Sequence, residues 1–320
     1  MNSERILVTG CAGFIGMHLC KSLLDEGHHV FGIDNMNDYY DTELKQARQD
    51  ELLPYENFSY SRSDISDLDS LTETFKQFKP EKVVNLAAQA GVRYSLENPH
   101  AYIQANITGF MNILECCRHY HVAGLIYASS SSVYGGNEKI PFSVDDRVDN
   151  PISIYGATKK ANELMAHTYS HLYGLHTTGL RFFTVYGPWG RPGLAMYIFT
   201  DKILKGQPIP VFNHGKMKRD FTYIDDIIHG LKASINKNYP CEVFNLGNNN
   251  WEDLMDVISI LENALGQKAD IEFFGMQPGD VKKTFADIDH SRDKLGYSPS
   301  TSINEGIPNF IRWYRNYINK

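Results

Sequence analysis

Residues 5–16 read RILVTGCAGFIG, and the order of residue types in that stretch decides the fold. Arg5 to Thr9 is a short apolar, β-branched run of the kind that forms a buried strand. Ile15, Leu19 and Leu23 then recur at helical spacing, so a helix follows the strand almost at once. Between them lie three glycines with separate tasks. Gly10 permits the tight turn, Gly13 lets backbone approach a pyrophosphate, and Gly16 lets the helix pack closely on the strand. The free N–H groups of Phe14, Ile15 and Gly16 at the helix start then face an anion. A second strand, Val30 to Asp34, ends about twenty residues on in a carboxylate suited to the adenosine ribose hydroxyls. No arginine follows directly to meet a 2′-phosphate, so the expected cofactor is NAD rather than NADP.

The alternation continues along the chain. Strands are expected at Phe58 to Arg62, Val83 to Leu86, Leu125 to Ala128 and Thr177 to Phe182. Helices are expected at Leu68 to Phe78, Tyr102 to Tyr120 and Tyr155 to Tyr173. This rhythm specifies an α/β protein with a Rossmann-like, doubly wound parallel sheet. Asp64 and Ile65, after the third strand, are expected adenine contacts; Ala87 and Ala88, after the fourth, line the ribose beside the nicotinamide. After Gly187 prolines and glycines cluster, and strands become sparse. The expected organisation is an NAD-binding domain over residues 1–186 and a smaller, discontinuous α/β lobe over 187–320. Residues near 224–248 return to the core, because Val243 to Leu246 reads as one more buried strand.

Composition narrows the partners. The chain has 320 residues and a net charge of −7, which argues against a nucleic-acid partner. No apolar run approaches the roughly 20 residues of a membrane helix, and the immediate N-terminal strand leaves no room for a signal peptide. Five cysteines, Cys11, Cys20, Cys116, Cys117 and Cys241, are odd in number and lack CxxC spacing. Reduced thiols in a cytoplasmic protein are expected, without a disulfide framework or a zinc site. His167 and His171 stand four apart on a helix but lack a third ligand, so no metal is expected. Asp225 and Asp226 open a helix and read as acids at its positive end.

A serine run, Ser129 to Ser132, precedes Tyr155 and Lys159, which are one helical turn apart. A phenol is too weakly acidic to exchange protons at neutral pH unless its anion is stabilised, and Lys159 is the expected source of that charge. Beside a dinucleotide, such a set suits hydride removal from a carbinol.

GCAGFIG, SSSSVYG, YGATK, RFFTVYGP and RDFTYIDD together resemble the extended short-chain dehydrogenase/reductase superfamily over nearly the full length. NLAAQAGVRYS, NPHAY, YGPWGRP and QPGD further resemble the UDP-glucuronate 4-epimerases. The resemblance implies that Tyr155 is the acid/base, that Lys159 holds the nicotinamide ribose, and that Ser130 is the hydroxyl sharing the substrate proton, with Ser129 and Ser131 as competitors. Nucleotide-sugar dehydratases of this fold carry an acidic pair where this chain has Ser131 and Ser132, and the related decarboxylases carry a glutamate at position 132. Without a second acid/base, elimination has no agent. The implied reaction is C4 epimerisation of UDP-glucuronate to UDP-galacturonate through a 4-keto sugar, supplying surface polysaccharide.

A 4-keto uronate is a β-keto acid, so its carboxylate must be held out of alignment for loss of CO2. Ser131, Ser132 and Thr184 are the expected hydroxyl donors, with Arg93 as a bidentate carboxylate partner. At the nucleotide end the resemblance points to Arg219, with Arg191, for the diphosphate; to Val211 and Phe212 for uracil; and to Gln277 and Asp280 for diphosphate or ribose. Helices His100 to Tyr120 and Tyr155 to Tyr173 resemble those of a four-helix interface, implying a two-fold homodimer. A UDP-glucose or UDP-N-acetylglucosamine 4-epimerase and a non-catalytic nucleotide-binding module remain as alternatives.

Overall fold

The computed structural model describes residues 3–319, so Met1, Asn2 and Lys320, the outermost residues of the two expected domains, lie outside it. From the N-terminus run β1 (Arg5–Thr9), α1 (Phe14–Asp25), β2 (His29–Asp34), α2 (Thr42–Asp50), β3 (Phe58–Arg62), α3 (Leu68–Phe78) and β4 (Lys82–Asn85). Two short turns, α4 (Tyr94–Glu97) and α5 (Pro99–Tyr102), lead through a π-helical segment into α6 (Phe110–His119). Then come β5 (Gly124–Ser130), α7 (Ile154–Tyr173) and β6 (Thr177–Phe182). The later elements are shorter: β7 (Thr184–Tyr186), α8 (Ala195–Leu204), β8 (Ile209–Val211), β9 (Lys218–Arg219) and β10 (Phe221–Tyr223). They are followed by α9 (Ile224–Lys237), β11 (Cys241–Leu246), β12 (Glu252–Asp253), α10 (Leu254–Leu265), β13 (Ile271–Phe273), α11 (Asp289–Leu295) and α12 (Ile303–Ile318).

Seven parallel strands form the main sheet in the order β11-β6-β5-β4-β1-β2-β3. Ile6, Leu7 and Val8 of β1 are wholly buried, as a strand covered on both faces requires. The chain winds outward from β1 in one direction, then crosses back to β4 and continues in the other. That reversal opens a crevice beyond the C-terminal ends of β1 and β4, where a doubly wound fold receives its ligand. The last strand of the sheet, β11, pairs with β6 although it arrives after the short elements of the C-terminal half. Four of those elements make parallel pairs of their own, β10 with β7 and β13 with β8.

Two local features depart from the expectation. The span read as one helix from Tyr102 to Tyr120 is instead α5, a π-helical segment at Ile103–Gly109, and α6. Inside the π segment Asn106 is turned inward. Its side chain accepts from Gln89 N at 2.9 Å and donates to Gln89 O at 3.1 Å and to Thr158 Oγ1 at 3.0 Å. The widened turn matches the use of π-bulges beside functional sites. Asp225 and Asp226 do lie in the first turn of α9, but Asp226 does more than meet the helix dipole. Its buried carboxylate accepts from Ser300 N at 3.0 Å and Thr301 N at 3.1 Å, tying the approach to α12 onto the sheet side of the molecule.

Removing that carboxylate takes the partner from two part-buried N–H groups, each bond contributing about 0.5–1.5 kcal/mol. Asp226→Ala should therefore lower the unfolding free energy by about 1–3 kcal/mol in urea titrations, whereas Asp225→Ala should stay within about 1 kcal/mol of the parent.

Candidate active site

The crevice is a cleft of ≈ 870 Å³ bordered by the glycine turn, the ends of β4 and β5, the start of α7 and the C-terminal half. At its dinucleotide end the glycine turn leaves no space for side chains. A Cβ on Gly16 would stand 2.0 Å from Gly10 O, and one on Gly10, at φ +74°, would stand 2.8 Å from Ala87 N. Helix α1 begins at Gly13 with no side-chain cap, so its first N–H groups remain for an anion. Asp34 is nine-tenths buried and fixed from both oxygens, accepting from Ala12 N at 3.2 Å and Met36 N at 2.9 Å. Asp64 accepts from Asn35 Nδ2 at 2.7 Å, and Ile65, Ala87 and Ala88 complete that wall. A close-approach turn, an uncapped helix start and a buried carboxylate fit an NAD molecule. Gly10, Gly13, Phe14, Ile15, Gly16, Asp34, Asp64, Ile65, Ala87 and Ala88 all border the space it would fill.

The reacting end is set by a close approach. Ser153 caps α7, accepting from Gly156 N at 3.0 Å, and Gly156 faces Ser132 O. A Cβ there would lie 2.6 Å from that oxygen, so only glycine lets the helix descend onto the serine run. The neighbours of Gly156 are thereby delivered to the cleft. Tyr155 and Ser130 line the same stretch of the cleft. Burial pushes the Tyr155 phenol pKa up, against the lowering effects of the Ser130 hydroxyl and the nearby Arg191 charge. Lys159 is 2% exposed and donates to Ala128 O at 2.9 Å. Burial pulls its pKa down from the usual 10.5 to about 8. The Lys159 ammonium is held by the β5 backbone one turn from Tyr155, and the Arg191 charge also favours the phenolate.

The serine run divides its duties. Ser129 is turned away and donates to Glu163 Oε1 at 2.7 Å, which removes it from competition. Ser130 faces the cleft beside Tyr155 and accepts from Ser132 N at 3.1 Å. Ser131, Ser132 and Thr184 line the same cleft. At the far end Arg93 stacks on the Phe212 ring at 4.3 Å and bonds Asp280 Oδ2 at 3.1 Å, so it belongs to a group of nucleotide-end candidates. Arg219, enclosed by burial that lowers its pKa, and Arg191 border the cleft as well. Val211 and Gln277 do not. Val211 is 0% exposed in the core beneath Phe212, and Gln277 is set back from the lining with its carbonyl accepting from Asp280 N.

Sequence reasoning missed Tyr39, Lys45 and Gln89. Tyr39 meets Tyr94 at 4.7 Å between ring centroids and has the Arg191 guanidinium 5.6 Å from its own. Lys45 is buried near Asp34 and donates twice to Asn37 at 2.8 Å. Lys45 stands on α2, Tyr39 just before it and Gln89 after β4, and none belongs to a periodic pattern that separates it from surface.

A profile of the GDP-mannose 4,6 dehydratase family matches residues 7–310. The chain belongs to this family. Among its relatives it is 51% identical to Protein CapI of Staphylococcus aureus, over 99% of this chain and 100% of that one. It is 47% identical to UDP-glucuronate 4-epimerase 4 of Arabidopsis thaliana, over 99% of this chain and 76% of the relative. The crystal structure of a UDP-glucuronic acid 4-epimerase from Bacillus cereus, in complex with UDP-glucuronic acid and NAD, is similar throughout. Its TM-score is 0.93 at 36% identity, covering 98% of this chain and 99% of that one.

The depressed Lys159 pKa has a definite sign. The unfolded chain keeps this proton up to about 10.4 and the folded chain up to about 8, so the fold gains stability as pH rises across that window. In ligand-free protein, the Lys159 side-chain carbon resonances should titrate near pH 8 while exposed lysines titrate above 10. A Lys159 midpoint above 10 would contradict the burial argument.

Proposed function

We propose that this protein is an NAD-dependent 4-epimerase converting UDP-glucuronate to UDP-galacturonate without net redox change. The observation that carries the reading is the hydroxyl-lined reacting end of the cleft, which Ser130, Ser131, Ser132 and Thr184 line together with Tyr155. Bound NAD supplies a reversible hydride acceptor for C4 of the sugar. The chain's own groups manage the proton and the geometry. Tyr155 Oη takes the 4-hydroxyl proton and later returns it, with Ser130 sharing the hydrogen bond. Ser130 and the Arg191 charge ease formation of the phenolate, countering part of the cost of burial. Lys159 holds the ribose side of the dinucleotide.

Ser131, Ser132 and Thr184 are proposed to fix the C6 carboxylate so that its C–C bond stays out of line with the C4 carbonyl. This is also why two serines suit the positions where dehydratases place acids: elimination needs a proton acceptor that serine does not provide at neutral pH. Arg191 and Arg219 are proposed to hold the diphosphate, and Phe212, Arg93 and Asp280 the uridine end. The division of labour follows: residues 1–186, with the later return near 224–248, hold NAD, and residues 187–320 hold the UDP-sugar. No helix among the described residues is long and apolar enough to cross a membrane. All five cysteines are free, and a reducing cytoplasmic setting suits them.

Helices α6 and α7 are proposed as a two-fold interface. Leu164 and Leu172 are 57% and 59% exposed and stand two turns apart on α7, and Ile103 is 48% exposed nearby in sequence to α6. A stripe of that kind costs solvation unless covered.

The deciding experiment incubates the protein with UDP-glucuronate, and separately with UDP-glucose, following products by proton NMR. Conversion of the uronate alone to UDP-galacturonate is expected; conversion of UDP-glucose alone would overturn the substrate. Tyr155→Phe should reduce turnover at least about 100-fold with UDP binding retained, and an unchanged rate would defeat the proton assignment. Thr184→Ala should weaken uronate binding or release a decarboxylated 4-keto pentose. By light scattering the protein should be a dimer, and Leu164→Arg should shift it to monomer.

A further inference from the structure

Arg48, on α2, has the largest fully buried side chain in the described molecule, at 0% exposure. An arginine charge out of water ordinarily meets a carboxylate. Here every hydrogen bond of the guanidinium among the described residues ends on a neutral oxygen. Nη1 donates to Ala12 O at 3.1 Å and to Tyr40 Oη at 2.6 Å. Nε and Nη2 both donate to Trp189 O, at 3.2 and 2.7 Å, and Nη2 also reaches Gly190 O at 3.4 Å. All five N–H donors are thus spent.

Their targets are two separate pieces of the cleft. Ala12 is in the middle of the glycine turn that receives the dinucleotide. Trp189 and Gly190 belong to the loop that carries Arg191, which faces the Tyr39 ring and bonds Ala90 O at 3.4 Å. Trp189 sits at φ +64°, a conformation a bulky residue rarely holds without support, and its carbonyl is the one Arg48 grips twice. A second strap runs the same way: His18 of α1 bonds Pro188 O at 2.9 Å. A planar fork is suited to fixing two backbone segments at one angle, which lysine's single point of charge is not.

We infer that Arg48 is a positioning residue that couples the dinucleotide turn to the Arg191 loop, so that each ligand tightens the other. The inference rests on the reading that the turn holds NAD and that Arg191 meets the UDP diphosphate. A dinucleotide seated on the turn holds Ala12 O in place. Arg48 then holds Trp189 and Gly190, and the loop presents Arg191 in its binding position. Linkage makes the effect reciprocal, so a uridine nucleotide bound at Arg191 should slow the loss of NAD. The cation with no carboxylate partner also favours an anionic ligand on the far side of the turn.

The test reads NAD release from the purified NAD-loaded protein, diluted into a scavenger of free dinucleotide, with and without saturating UDP. UDP should slow release about tenfold in the parent protein. In Arg48→Met and Arg48→Lys the UDP effect should shrink to less than about twofold. Ile258→Ala, a core truncation in α10 far from the loop in sequence, serves as a stability control and should keep the full effect at a matched loss of Tm. If the methionine variant does not fold, the lysine variant decides by the same ratio. No UDP effect in the parent, an undiminished effect in both Arg48 variants, or an equal loss in Ile258→Ala would each overturn the inference. Neither ligand is turned over, so a failure to epimerise UDP-glucuronate would leave this ratio standing and would count against the proposed function alone.

Discussion

The buried ion pair between Glu163 and Arg181 determines where α7 lies on the sheet, and the reacting end depends on that placement. Glu163 Oε1 accepts from Arg181 Nε at 2.8 Å and Oε2 from Arg181 Nη2 at 2.9 Å, and both residues are nearly sealed from solvent. Burial alone would raise the Glu163 pKa, but the Arg181 hydrogen bonds and charge hold it below the usual carboxylate range. Such a pair is tolerated only when further hydrogen bonds satisfy both ions. Ser129 and Tyr134 supply them, donating to Glu163 and accepting from Arg181 at 2.7 and 3.0 Å. Three elements, β5, β6 and α7, therefore share one polar joint. Ser130 follows Ser129 directly, and Lys159 and Tyr155 lie one and two turns before Glu163.

This joint explains why four consecutive serines are not equivalent. Alternation along β5 sends Ser129 inward to the ion pair and Ser130 to the cleft that Tyr155 also lines. The strand then ends, and Ser131 and Ser132 turn over the cleft in a short 3₁₀ segment. The family takes its name from a dehydratase, yet these two positions carry hydroxyls rather than acids. Membership settles the architecture and the cofactor turn, while the groups at the end of β5 decide what happens to an oxidised sugar.

Charge in the cleft is distributed differently from what spacing alone suggests. Tyr155 and Lys159 are one turn apart, and a helix does place such residues on one face. The ammonium donates to Ala128 O, and Arg191, on a loop more than thirty residues away in sequence, adds a second positive charge favouring the phenolate. The loop in turn is held from behind by Arg48 and His18. An active site assembled from the ends of strands needs supports of this kind, because loops have no ladder of their own to fix them.

Much of this was legible in the chain itself. The glycine turn, the carboxylate ending β2, the β-α alternation and the return of β11 to the sheet are local patterns, set by backbone sterics and by hydrophobic periodicity. Residues next to strand ends, from Gly10 to Asp64 and from Ala87 to Thr184, therefore reach the cleft as their positions require. The seams were not legible. Nothing in the pattern of α2 shows that Arg48 would be sealed between two loops. Nor does it show that Lys45 would face Asp34, that a π segment would turn Asn106 onto Gln89, or that Val211 would point into the core and leave the cleft to Phe212. Sequence spacing determines which face of an element a residue occupies. What that face meets depends on contacts between elements distant in the chain, and those exist only once the sheet, the helices and the C-terminal half have packed together.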